Sequence, residues 1–223
     1  MAHQAGGRWP APRPVSEGCE VQAYLQDYAE LVEAVPFPSL VVDHRWNVML
    51  ANGAYGTLFG GVRPHPTAMP EGNFLRFVLF HPDAGGILGD HEQSWCLPML
   101  AQLKAALDGS GHDRELQAIR RDIGQDPIMD AAYRQGLPHW IRAVGEAATR
   151  IDGAVRLLHH PDPRRGATEC RIVDETPRTL QEIGCTRLTM VLRDTRRPAG
   201  TARRQRRTRG AGTHLAVVPA PVD

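Results

Sequence analysis

The sequence predicts an α+β domain: an antiparallel sheet of about five strands packed with several helices. Three observations carry that prediction. Two β-rich runs, Ser39-Leu40-Val41-Val42 and Trp46-Asn47-Val48-Met49-Leu50, are joined by Asp43-His44-Arg45, a spacer of hairpin length that opens on a turn-forming Asp. Apolar residues recur at three- and four-residue steps through the middle of the chain. Strand character returns in three late runs, residues 154–159, 168–173 and 188–193.

Taken in order, residues 1–20 hold Gly6-Gly7 and Pro10, Pro12 and Pro14 with almost no aliphatic content, and they read as a flexible leader. Val21, Tyr24, Leu25, Tyr28, Leu31, Val32 and Val35 then lay an apolar stripe along a helix that Pro36 and Pro38 end. After the hairpin, Asn52 suits the N-cap of a helix running to about Leu58, closed by Gly60-Gly61. Asn73 caps a second helix, Phe74 to Phe80, which His81-Pro82 ends and whose apolar residues point nearly all round. A long helix starts near Asp90 and stops at Gly109-Ser110-Gly111. Further helices are expected over residues 113–123 and 127–135, with a short one over 138–144. The late runs alternate: Thr168, Cys170 and Ile172 share one face, and Leu188, Met190 and Leu192 share another. Early and late strands are expected to join one sheet.

Composition bounds the function. The chain has 26 basic and 25 acidic residues, a net charge of +1. Seven arginines fall after Asp194 against one acid, so the body is acidic and residues 195–223 form a basic tail without core-forming patterning, expected to be disordered. No apolar run reaches the ~20 residues of a membrane-spanning helix, and no secretory signal precedes the first helix. The four cysteines stand far apart with no C-x-x-C pair, which points to reduced thiols in a cytoplasmic protein. His159 and His160 are adjacent and face opposite sides of a strand, and His91-Glu92 lacks a second His at zinc-protease spacing, so no metal or other cofactor is expected. There is no G-x-S-x-G, no phosphate-cradling Gly loop and no dinucleotide fingerprint, and the chain is not expected to be an enzyme.

Five local strings in a fixed order resemble the ligand-binding domain of MmyB-like transcription regulators, common in actinobacteria. They are Trp46-Asn47-Val48-Met49-Leu50-Ala51-Asn52, the run from Asn73 to Pro82, Asp90-His91-Glu92-Gln93-Ser94-Trp95, the run from Gly153 to Pro161, and the run from Thr186 to Leu192. The resemblance spans residues 21–194. It implies a PAS-like fold, with an antiparallel sheet and helices enclosing an apolar cavity, in a regulator that senses a small apolar, fatty-acyl-like molecule. Members usually carry an N-terminal helix-turn-helix domain. Here only about twenty Pro- and Gly-rich residues precede the matched region, so the expectation is that the signal passes to a separate DNA-binding protein or through a homodimer, or else that the chain is a truncated derivative. His91 stands where the family often has Trp.

In such a fold Trp46, Phe74, Phe77, Phe80 and Trp95 fall in or beside the cavity-lining elements and are ligand-binding candidates; equally, such rings fill cores. Arg76, a charge within an apolar helix, is a candidate partner for a ligand carboxylate, or for a protein acid. Arg203, Arg204, Arg206 and Arg207 are the nucleic-acid candidates. No aromatic residues interleave with them and no recognition helix accompanies them, so a solvated tail is the expected reading and direct DNA contact the alternative.

Overall fold

The computed structural model describes residues 19–193. Helix α1, Cys19–Glu33, is followed by strands β1, Ser39–Asp43, and β2, Val48–Ala51. The Asp43 carboxylate accepts from the backbone N–H groups of Arg45 and Asn47, which folds the hairpin turn as its sequence predicts. That turn forces Trp46 to φ +69°, a left-handed conformation rare for a bulky residue. Tyr55 N–H and Arg76 N–H donate to the side chains of Asn52 and Asn73, the predicted N-caps of α2, Gly53–Phe59, and α3, Phe74–Phe80.

Two short elements come next that local pattern does not announce: α4, Ala84–Ile87, and the two-residue strand β3, Leu88–Gly89. The expected helix from Asp90 forms, but His91–Cys96 is a π-helical turn leading into α5, Leu97–Gly109. Pro98 explains it. It has no N–H to give the carbonyl four residues back, its ring crowds that carbonyl, and Leu97 N–H instead reaches Glu92 O. The same arrangement recurs at Leu137-Pro138. There α7, Pro127–Ala131, passes through the π turn Ala132–Gly136 into α8, Leu137–Val144, so the break expected between residues 135 and 138 is a widening and not an end. Between the two lies α6, Arg114–Gln125, capped by Asp113.

A 3₁₀ turn, Gly145–Thr149, leads to the late strands β4, Val155–His159, β5, Ala167–Asp174, and β6, Cys185–Leu192, with the short helix α9, Arg178–Glu182, before the last. All pairings are antiparallel, in the order β2-β1-β6-β5-β4-β3. Early and late strands therefore share one sheet, six strands where about five were expected; the extra one is β3.

The larger core lies between the sheet face bearing Leu40, Val42, Leu158, Cys170, Ile172, Leu188 and Met190 and the helices from α2 to α8. On the opposite face, α1 and α9 cover Val41 and Cys185 with Tyr28, Val32 and Leu180. Among the described residues no helix is long and apolar enough to cross a membrane. Cys96, Cys170 and Cys185 are free and buried.

Candidate functional site

The aromatic candidates converge. Phe74 stands at the centre, with the rings of Trp46, Phe77, Trp95, Tyr55 and Phe59 all within 6.5 Å of its own, centroid to centroid. Trp46, Phe74, Phe77 and Trp95 are each at most 2% exposed. They fill the interior by edge, tilted and stacked contacts of the kind aromatic rings prefer. Phe80 sits half-buried at the rim of this cluster. Arg76 points away from it to α6, where its Nη2 lies 2.8 Å from Asp122 Oδ2. Arg203, Arg204, Arg206 and Arg207 lie outside the described residues.

Open space appears instead at the two ends of β4, in two clefts that none of these six residues lines. The larger, about 470 Å³, is bounded by Leu58, Gly61, Pro82, Asp83, Gly86, Ile87, His159, His160 and Pro161. Its walls are mostly apolar. Asp83 is drawn off by Arg63, which holds its carboxyl well below the usual carboxylate range. Burial, and then the nearby Arg165 charge, lower the pKa of His160, which keeps that imidazole neutral at neutral pH. A Cβ added at Gly61 or Gly86 meets no side chain or neighbouring segment within 4 Å, so both positions leave room.

The smaller cleft, about 200 Å³, lies at the start of β4 between the His91–Cys96 π turn, α8 and the 3₁₀ turn. Arg156 sits in its wall. Period-two alternation places Arg156 beside Leu158 on the helix-covered face of β4, and the residue is 6% exposed. Its guanidinium carbon stands 4.7 Å above the centre of the Trp95 ring, and Trp95 Nε1–H donates to Leu157 O at 3.0 Å. Burial lowers the Arg156 pKa to about 10, and it stays charged at neutral pH. Trp95 was a sequence candidate and Arg156 was not. The signal was present: an arginine in phase with Leu158 in an otherwise apolar run.

The buried thiols carry no nucleophile. Burial pushes Cys96 and Cys170 up to about 12, and Cys185 up to about 11. His91, half-buried with its pKa lowered by burial, donates from Nε2 to Val78 O at 2.8 Å. Among the described residues no cluster of His, Cys, Asp and Glu could hold a metal ion.

No curated protein matches the chain. Residues 26–135 match the MmyB-like transcription regulator ligand binding domain, a stretch from within α1 to the second π turn that takes in the hairpin and the whole aromatic cluster. It is shorter than the span suggested by the sequence strings and leaves out β4, β5 and β6. The residues that form the hairpin, the two capped helices and the aromatic interior thus lie within the stretch, residues 26–135, over which the chain is similar to the MmyB-like transcription regulator ligand binding domains.

Proposed function

We propose that this ligand-binding domain senses a small, largely apolar molecule of fatty-acyl character in the cleft of about 470 Å³ at the end of β4, within a PAS-like fold. The cleft carries the reading: its volume falls in the ordinary range for small-molecule sites, and Leu58, Pro82, Ile87 and Pro161 give it apolar walls. Strand order supports the PAS-like description, since the hairpin pairs with the last strand and the helices intervene in sequence. Binding without catalysis fits thiols held protonated by burial. The same reduced, buried thiols support a cytoplasmic setting.

Occupancy acts by population shift. A ligand moves the equilibrium between two conformers only by its preference for one of them. The conformer it favours changes contacts with a partner, either a second copy of the chain or a separate DNA-binding protein. The test is native mass spectrometry of protein purified from its own host, followed by titration with saturated fatty acids. A co-purifying or added apolar molecule should bind one per chain. Gly86→Phe, which fills the cleft from a position with free space, should abolish that binding and leave the circular dichroism spectrum unchanged. Equal binding by Gly86→Phe, or no apolar molecule bound at all, overturns the proposal.

A further inference from the structure

The half-buried arginines of this domain have acids. Arg45 pairs with Asp113, Arg76 with Asp122, Arg120 with Asp130 and Arg187 with Glu175. Arg156, more buried than any of them, has none: among the described residues no carboxylate pairs with its guanidinium and no carbonyl accepts from it. Its guanidinium lies over the face of Trp95, and Cys170, its cross-strand partner on β5, is a thiol that burial keeps protonated. A buried charge left without a counter-ion is costly, and a ring face offsets only part of that cost. The lining of the cleft adds a second cation, Arg150, and contains no acid. Gln93 and Ser94 of the π turn also line the cleft, and the Ser94 hydroxyl donates to Asp90 Oδ2 at 2.7 Å.

We infer that this cleft is a binding site for a small oxyanion, a carboxylate or a phosphate group, seated on the N–H edge of Arg156. The Trp95 ring lies against one side of the guanidinium, and no hydrogen bond among the described residues uses its N–H groups. The N–H edge presents paired donors whose spacing matches two oxygens of one carboxylate or phosphate. The volume of about 200 Å³ holds a free phosphate, a short carboxylate, or the charged end of a longer molecule. Arg150, exposed at the rim, adds positive field at the entrance. This site is separate from the apolar cleft at the other end of β4 and does not depend on it.

The experiment is calorimetric titration of the full chain with sodium phosphate and with sodium acetate, each against sodium chloride at matched ionic strength. At least one oxyanion should bind saturably, one per chain. Acetate alone marks a carboxylate site and phosphate alone a phosphate site. Arg156→Met should weaken binding by at least about tenfold and Arg156→Lys, which keeps the charge but loses the fork, by roughly threefold or more. Without anion, Arg156→Met should melt no lower than the natural protein, because a buried unpaired charge has been removed. Arg150→Gln, at an exposed position, should also weaken binding. Oxyanions that act only as chloride does, binding that survives Arg156→Met, or an anion-free melting temperature lowered by that substitution overturns the inference.

Discussion

At the level of single residues, Asn52 joins three parts of the fold. Its Oδ1 accepts from Ser39 N–H and Tyr55 N–H, and its Nδ2 donates to Val35 O and Phe37 O, in a side chain 3% exposed. Replacing it with Ala strands buried backbone groups of β1, α2 and the α1–β1 link, and should cost about 2–3 kcal/mol in denaturant unfolding. Asn52→Asp should be worse, because a carboxylate would then face those carbonyl oxygens. The sequence showed the cap, since Asn precedes a helix. It could not show the amide donors, whose partners lie 15 and 17 residues away. Tyr28 presents the opposite case: its hydroxyl is buried, with no hydrogen-bond partner among the described residues. Tyr28→Phe should therefore be neutral or stabilising by up to about 1 kcal/mol, read as a shift in urea midpoint. Gly89 is a glycine because of what faces it. A Cβ there would stand 2.7 Å from Leu157 Cγ, so Gly89→Ala should push β3 off β4 and cost about 1–3 kcal/mol.

Whole elements are tied by electrostatics as well as by apolar contact. Asp113 caps α6, accepting from Glu115 N–H and Leu116 N–H, and its other oxygen meets Arg45 Nε at 2.7 Å and His44 Nε2 at 3.0 Å. One carboxylate thus fixes the start of α6 to the β1–β2 turn. Burial alone would raise its pKa; Arg45 first, then His44 and the cap N–H groups, overcome that and hold it at about 2, below its ordinary 3.8. The lowered pKa sets the sign. The pairing contributes its full stability above the unfolded value, and loses it as pH falls from about 4 toward 2. Thermal melts across that window should show the loss, and Asp113→Asn should be less stable at neutral pH and flatter in acid. Of this, the sequence offered Asp113 as a helix start and Asp43 as a turn start, but not that Asp113 meets His44 and Arg45 of that turn. The π turns were hidden for a different reason. Proline inside helical spacing reads as a break, and only packing decides whether the chain ends there or widens. Leu97 and Leu137, both buried beside their prolines, hold it in the widened form.

Across the whole molecule the α+β class was legible because strand and helix periods separate cleanly along the chain. The pairing of the hairpin with the late strands followed from the scarcity of partners for either alone. Where empty space would fall was not legible. Aromatic residues mark where apolar volume is spent, and here Phe74 and its neighbours spend it on one another, so the clefts open where β4 meets glycine, proline and arginine. The apolar contacts that it makes on one sheet face, with Val41, Leu180 and Cys185, make α1 integral to the fold. Removing residues 19–33 would uncover Val41, Leu180 and Cys185, and should abolish cooperative melting and raise binding of an apolar dye. Strand order has a further consequence for how this protein comes into being. The strand in the middle of the sheet, β6, leaves the ribosome last, and Ser39 must wait 150 residues for the Thr189 hydroxyl that it meets in the finished sheet. At synthesis rates of roughly 5–20 residues per second that is about eight to thirty seconds, during which an apolar hairpin stays without its neighbour in the nascent chain. Such an interval gives a chaperone waiting at the exit tunnel time to act.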